Sequence, residues 1–295
     1  VLGPRLNAGG RLGCSDLGVQ ILTNSDPDIA DTLAMQIDRL NTDRRVEETA
    51  VSIAAEQMAE EKLAAQPDLP VLVLAKENWH EGVIGIVAGR LKDAYHRPVI
   101  IISFDAQGRG KGSARSVAGF SIGDQILAAC ELGHLKSGGG HDMAAGLGLD
   151  EAQLADFEMF LIDRAQTVFS GVPNRVFSYC HSLSVAGCNS ALVDGLDAVG
   201  PFGAGHAEPR FVITHCRLKN LRWMGKEKAH LSVLLDDGTA SPLRAVSFGI
   251  AGTKLGQFLA ETPDPGPVRV LGRLQKDNWR GGGAVQFLIE DIAAS

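Results

Sequence analysis

Ser137-Gly138-Gly139-Gly140-His141-Asp142-Met143-Ala144-Ala145-Gly146 is the stretch on which the reading of this chain turns. Three adjacent residues without Cβ let the backbone enter positive-φ regions and bring several N–H groups close to a ligand. N–H groups turned inward form a concavity suited to an anion, phosphate being the usual occupant. His141, at the end of that turn, adds a donor to the same oxygen cluster. Two readings stay open here: a phosphate-binding loop, or a helix-to-strand turn whose histidine faces solvent.

The surroundings of this stretch, Pro70–Ser170, read as an α/β domain. Val71–Ala75 and Val99–Ser103 are short, apolar, β-branched runs of the kind used by buried strands. Glu81–Tyr95 lies between them with Val83, Ile86, Val87 and Leu91 at helical spacing, which predicts a βαβ unit. Gly110–Ser116 follows as a strand with Ser113 and Arg115 on one face. Ser121 with Asp124 resembles a capping box opening a helix over Ile122–Leu132, and Glu151–Thr167 closes the domain as an amphipathic helix.

Further out, Asp28–Gln66 carries apolar residues every three or four positions at Ile29, Leu33, Ile37 and Leu40, and the pattern resumes at Val46, Thr49, Ile53 and Met58. It predicts one or two helices, a connector of about 58 Å if unbroken, ended by Gln66-Pro67. Gly3–Gly13 is polar, glycine-rich and basic, and reads as a solvated loop. Beyond Gly171 the pattern turns to β, with Arg175–Ser184 a candidate strand and Asn189–Leu196 a short helix. Arg210–Cys216, Ala229–Asp236, Leu243–Phe248, Pro267–Leu274 and Ala284–Asp291 alternate as strands. Turns are marked by Asp237-Gly238 and Gly281–Gly283. One helix candidate, Lys254–Glu261, falls between the third and fourth of these five strands, the order of an OB-fold barrel, a fold that binds oligonucleotides. The predicted fold class is thus α/β plus all-β, in three parts: 1–66, 67–171 and 172–295.

The 295 residues carry a net charge of −7, distributed as −5, −4 and +2 over those parts. This argues against a simple basic nucleic-acid module and makes the C-terminal part the contact for an anionic polymer. Five cysteines, Cys14, Cys130, Cys180, Cys188 and Cys216, are scattered without a CxxC pair. They suggest neither a zinc ribbon nor a disulfide framework and fit a reducing, cytoplasmic setting. No apolar run approaches the ~20 residues of a membrane span. The chain opens on Val1 inside a motif, and is read as part of a longer protein.

GPRLNAGGRLG at Gly3–Gly13, ENWHEGVIGIVAGRL at Glu77–Leu91, GKGSARS at Gly110–Ser116 and GGGHDMAAG at Gly138–Gly146 occur in that order. Together they resemble the C-terminal half of the RecJ family of single-stranded-DNA exonucleases, in the DHH phosphoesterase superfamily. GPFGAGHAEPRF at Gly200–Phe211, with the OB-like strands, extends the resemblance over the whole chain. The resemblance implies a DHH-associated domain over 67–171 and a strand-binding OB domain over 172–295. It further implies a DHH domain holding two divalent metals, Mn²⁺ or Mg²⁺, and hydrolysis from the 5′ end in DNA repair and recombination. No Asp-His-His run is present here, so the metals belong to a domain outside this sequence, and no metal ligands or cofactor are expected within it.

The residues divide accordingly. Arg115 offers a two-pronged contact to phosphate oxygens, with Ser113 and Ser116 beside it, and Gly138, Gly139, Gly140 and His141 supply further donors. His141 is the one candidate for a catalytic role. Arg5 and Asn7 are carried over as cleft residues. His80 either caps the helix it precedes or touches substrate. In the last part, Arg222 and Lys226 flank Trp223, an arrangement suited to base stacking and backbone tracking, and Arg269 and Arg273 share a strand face. Trp279-Arg280 is a second such pair. The expected partner is single-stranded DNA, with repair proteins a further class, and the expected state is a monomer with no membrane contact. Two alternatives stay open: a DHH-family phosphodiesterase acting on short oligonucleotides or cyclic dinucleotides, and a nucleic-acid-binding fragment inert by itself.

Overall fold

The structure, a computed structural model, describes residues 2–173, 175–203, 205–262, 264–277 and 283–295, with all their side chains except those of Lys226 and Lys254. Two compact units divide at Arg175/Val176. Among the described residues no helix is long and apolar enough to cross a membrane.

The first unit opens with short helices α1 (Leu2–Leu6), α2 (Gly9–Leu12) and α3 (Leu17–Thr23). The stretch expected as a loop is therefore helical. Close packing of α2 requires glycine at position 9, where a Cβ would stand 2.5 Å from the Cys14 carbonyl oxygen. The connector is one helix, α4 (Pro27–Ala65), of 39 residues. Pro27 occupies its first turn, and the Asp26 carboxylate accepts the N–H groups of Asp28 and Ile29, two of the donors a helix start leaves unpaired. The buried stripe of α4 is Leu33, Ile37, Asn41, Glu48, Val51, Ser52, Ala55 and Ala59. It is apolar at both ends and polar in the middle.

Next come β1 (Leu72–Glu77), α5 (Glu81–Tyr95), β2 (Val99–Phe104), β3 (Arg109–Arg115), α6 (Ile122–Glu131), β4 (Ser137–His141), β5 (Ala144–Asp150) and α7 (Leu154–Val168). The sheet order is β1-β2-β3-β5-β4. β1 and β2 run parallel through α5, and the other pairs are antiparallel. Because side chains alternate between faces along a strand, the register defines two layers. Ile100, Ile102, Ala114, Ala145, Leu147 and Leu149 face a core shared with Ile122 and Ile126 of α6 and Phe157 and Leu161 of α7. Leu72, Leu74, Val99 and Ile101 face a second core with Val83, Ile84, Val87 and Leu91 of α5 and Val51, Ala55 and Ala59 of α4. The expected capping box at Ser121 is absent: Ser121 makes no capping bond. A capping box stands instead at Asp150 and Gln153, ahead of α7.

The second unit holds β6 (His181–Leu183), α8 (Ser190–Val199), β7 (Phe211–Met224), β8 (His230–Asp236), β9 (Leu243–Ser247), α9 (Lys254–Glu261), β10 (Val268–Lys276) and β11 (Val285–Ala294). Of the strand expected at Arg175–Ser184 only β6 forms, as a parallel edge on β7. Strands β7, β8, β9, β11 and β10 pair in sequence, and β10 pairs back to β7. That closure gives the five-stranded barrel of an OB fold. Its interior is filled by Ile213, Leu218, Leu231, Val233, Leu235, Ala245, Val270, Leu274, Phe287 and Ile289. Gly281 and Gly282 of the expected turn lie outside the described residues, as do Trp279 and Arg280.

Candidate nucleic-acid interface

The glycine run is a strand, and this corrects the loop reading. None of Gly138, Gly139 and Gly140 has positive φ; all three lie in β4, paired antiparallel with β5. Their lack of side chains serves packing and access rather than a turn. A Cβ on Gly138 would stand 2.4 Å from Ile126 Cγ2 of α6, and one on Gly140 would stand 2.2 Å from the Ala144 carbonyl oxygen. A Cβ on Gly139 meets nothing within 4 Å, and the same holds for its cross-strand partner Gly146. The hairpin turn at Asp142-Met143 is tied to the start of α6. The Ser121 hydroxyl donates to Asp142 Oδ1 at 2.9 Å, and the Ile122 N–H donates to the Asp142 carbonyl at 3.0 Å.

Register sets the candidate residues in rows across β3, β5 and β4. Ser113 aligns with Gly146 and Gly139, and Arg115 aligns with Ala144 and His141. Both rows lie on the sheet face that α5 covers over β1 and β2. Toward β4 that cover is missing, so the face forms a shelf with a floor of glycine and alanine. Arg115 and His141 stand on either side of Ala144, about 10 Å apart at their Cα atoms, two inter-strand spacings.

Arg115 is half-buried. Its Nη1 donates to Ser113 Oγ at 3.0 Å and to the Ala114 carbonyl at 2.8 Å. Among the described residues it has no carboxylate partner. Burial first, and then the Arg11 guanidinium, pull the pKa of Arg115 below its ordinary value. A cation desolvated beside another cation is stabilised by an arriving anion, so this pair favours a phosphate.

Two contributors to the shelf escape a reading by motif alone. Arg11 is held by α2, whose C-terminal turn lies on the start of α5: Arg11 Nη1 donates to the Gly82 carbonyl at 3.2 Å, and a Cβ on Gly82 would stand 2.0 Å from the Arg11 carbonyl oxygen. Gly85 leaves room for the guanidinium, since a Cβ there would stand 2.9 Å from both Arg115 Nη2 and Ser113 Oγ. The available signal was glycine inside a helix, at Gly82 and Gly85, where each costs ~1 kcal/mol relative to alanine and so points to a close approach.

Other candidates fall elsewhere. Ser116 is 1% exposed and its hydroxyl donates to the Phe120 carbonyl at 2.7 Å, so it shapes the turn after β3 and is closed to ligand. Arg5 Nε donates to Asp38 Oδ1 of α4 at 2.6 Å. Asn7 is exposed between α1 and α2. His80 caps α5, its Nδ1 accepting the Gly82 N–H at 3.0 Å.

In the barrel unit, Trp223 and Arg222 are neighbours on one strand and so point to opposite faces. Trp223 packs, half-buried, against the barrel core, which removes it as a free stacking platform. Arg217 and Arg222 are exposed on the outer face of β7 and have no ion-pair partner among the described residues. Lys219 is paired with Asp236. Arg273 is held between Glu208 and Glu290, which raise its pKa, so it is neutralised rather than free for a strand. Arg269 Nε donates to the Ala294 carbonyl at 3.2 Å. The Lys226 side chain lies outside the described residues. Among the described residues no three His, Cys, Asp or Glu side chains are grouped to hold a metal ion such as Mn²⁺ or Mg²⁺.

Comparison with known proteins places these two units. Residues 68–167 match the DHHA1 domain family, and residues 181–291 match the RecJ OB domain family. The chain is 33% identical over 300 residues to the single-stranded-DNA-specific exonuclease RecJ of Haemophilus influenzae, covering 99% of this chain and 50% of that protein. It is 30% identical to the Bacillus subtilis RecJ over 302 residues, covering 100% of this chain and 36% of that protein. The crystal structure of RecJ with Mn²⁺ from Thermus thermophilus is similar at a TM-score of 0.78 and 29% identity, over 100% of this chain and 41% of that one. The chain spans about half the length, or less, of the curated relatives it matches.

Proposed function

We propose, for a chain that corresponds to the C-terminal region of RecJ exonucleases, a DHHA1 domain followed by a RecJ OB domain, that it supplies phosphate and strand binding to a 5′-to-3′ exonuclease acting on single-stranded DNA in repair and recombination. The observation that carries the reading is Arg115: a desolvated guanidinium beside Arg11, without a carboxylate among the described residues, on an open shelf floored by Gly139 and Gly146. Arg115 and Ser113 hold one side of a backbone phosphate, and His141 donates from the other. Fixing two or three oxygens orients the phosphodiester for in-line attack, a contribution worth ~10²–10³ in rate per preorganised donor. The barrel unit tracks the strand through Arg217 and Arg222, sequence-tolerantly and in a salt-dependent manner. The domain division of the function follows the same line, with phosphate positioning in 67–171 and strand holding in 172–295.

The test is the salt dependence of binding. For a single strand, the slope of log K against log salt is about −0.7 per phosphate neutralised. Arg115→Ala should weaken oligothymidylate binding and make the slope shallower by roughly that amount, and Arg115→Lys should keep the slope while losing affinity, because an ammonium cannot make the two-pronged contact. Affinity and slope unchanged in Arg115→Ala would remove the shelf from the interface.

A further inference from the structure

The second unit contains a cavity of about 470 Å³ between α8, the segment leading into β7, and the outer face of β10 and β11. Its size falls within the range of small-ligand sites, roughly 300–1,000 Å³. Phe202 and Phe248 line it, with Val193 and Leu196 of α8 adding apolar wall. Phe248 is 60% exposed, and its ring stands edge-on to His230 with centroids 5.4 Å apart, leaving a face open to the cavity. Gln275 and Gln286, paired across β10 and β11, supply amides to the same space. Gln286 is 7% exposed and Gln275 half-buried, and no amide atom of either is sealed off without a partner, so their polar ends open onto the cavity. These two amides, lining one cavity, hold donors and acceptors for a polar, uncharged ligand.

The charges around the cavity exclude an anion. Lys276 lies 2.9 Å from Asp194 Oδ1 and 2.8 Å from Asp197 Oδ2, and Arg273 is matched by Glu208 and Glu290. Both of these cations at the rim are already neutralised, so a phosphate gains nothing by entering. A flat, uncharged group with edge donors and acceptors and two apolar faces satisfies both the rings and the amides, which is the description of a nucleobase.

We propose that this cavity takes one nucleobase of a bound single strand, stacked against Phe248 and hydrogen-bonded at its edge by Gln286 and Gln275. The proposal rests on the strand-binding reading above. It assigns base contact to a place separate from Trp223, and phosphate contact to the cations outside the cavity. The site binds by the face and edge of the base, so it distinguishes a strand with bases from a bare sugar-phosphate chain.

The experiment compares the 295-residue chain with a labelled oligothymidylate and with an abasic strand of equal length and charge, by fluorescence anisotropy. The base-bearing strand should bind more tightly by about tenfold, the scale of one base–aromatic stack. Phe248→Ala and Gln286→Leu should each remove most of that difference while leaving abasic-strand binding as it was. Phe248→Ala should also keep the melting temperature, since the ring is exposed. Equal binding of the two strands, or a difference that survives both substitutions, overturns the base pocket and leaves the cavity to another occupant such as a protein side chain. Arg115→Ala weakens both strands alike if the shelf is used, so loss of the base effect and loss of strand binding are read separately. Failure to bind either strand refutes the strand-binding reading and the pocket with it.

Discussion

Gly139 and Gly140 are adjacent on β4, and replacing each by alanine should have opposite consequences. A Cβ on Gly140 would stand 2.2 Å from the Ala144 carbonyl oxygen and 2.5 Å from Ala145 Cα, both backbone atoms of the paired strand. Ordinary contact is about 3.5–4.0 Å, so β4 must move away from β5 by more than an ångström. Overpacking typically costs ~1–3 kcal/mol, and a clash with backbone on both sides falls at the upper end. At ~2–4 °C per kcal/mol for a unit of this size, Gly140→Ala should lower the melting temperature of the first unit by about 6–12 °C. Gly139→Ala meets no atom within 4 Å on extended backbone, and it reduces the freedom of the unfolded chain, worth ~0.4–1 kcal/mol in its favour. Its melting temperature should be unchanged or slightly higher. Its methyl group, however, rises from the shelf floor where a phosphate oxygen would lie, so strand affinity should fall. Differential scanning calorimetry and strand titration on the same preparations separate the two effects. A Gly139→Ala protein that melts as low as Gly140→Ala would refute the assigned orientation of β4, and one that binds as wild type would refute phosphate seating on this floor.

Three further outcomes follow from other parts of the molecule. Gly85→Ala should fold normally, since its Cβ meets only the ends of the Arg115 and Ser113 side chains, yet weaken strand binding by displacing the guanidinium; binding equal to wild type would argue against Arg115 as a ligand-holding group. Glu48 is 3% exposed and receives Arg44 and Arg90 in ion pairs, so Glu48→Gln should cost about 2–3 kcal/mol in urea unfolding, somewhat below the usual figure for breaking a buried pair because Arg90 reaches solvent; a change under about 0.5 kcal/mol would contradict that. Burial pushes the Cys188 thiol up to about 12 and the Cys216 thiol up to about 11, so at pH 8 a thiol reagent should leave both unmodified in the native protein while Cys180 and Cys14 react, and fast labelling of all five would refute the packing of the barrel. Because these folded-state values lie above the ordinary 9.0, their contribution to stability is intact below about pH 9 and is lost as pH rises toward 11–12.

How much of this was legible beforehand depended on which force sets each element. The helices over Glu81–Tyr95 and Lys254–Glu261 and the order of the five barrel strands follow from apolar periodicity, but the first strand, expected to end at Cys216, runs on to Met224 through the basic residues that had hidden its alternation. The glycine run misled because glycine has two uses. It permits positive φ, and it permits close approach; Gly138 and Gly140 use the second, against Ile126 and Ala144, which no local pattern announces. Trp223 misled in a similar way: basic neighbours suggested a platform, but alternation along β7 turns the ring inward and Arg222 outward. Arg273 was read by its charge alone, and the two carboxylates that hold it come from positions 208 and 290, far off in sequence. Arg11 joined the site only through α2 lying on the first turn of α5, a tertiary contact that Gly82 permits.

Amide chemical-shift mapping tests the central claim most directly: ¹⁵N-labelled chain titrated with a 5′-phosphorylated thymidine dinucleotide. The account predicts that the largest changes fall on Ser113, Arg115, Gly139, His141 and Gly146 in the first unit, and that they are abolished in Arg115→Ala. Shifts that leave the shelf untouched, or that persist unchanged in Arg115→Ala, would contradict it.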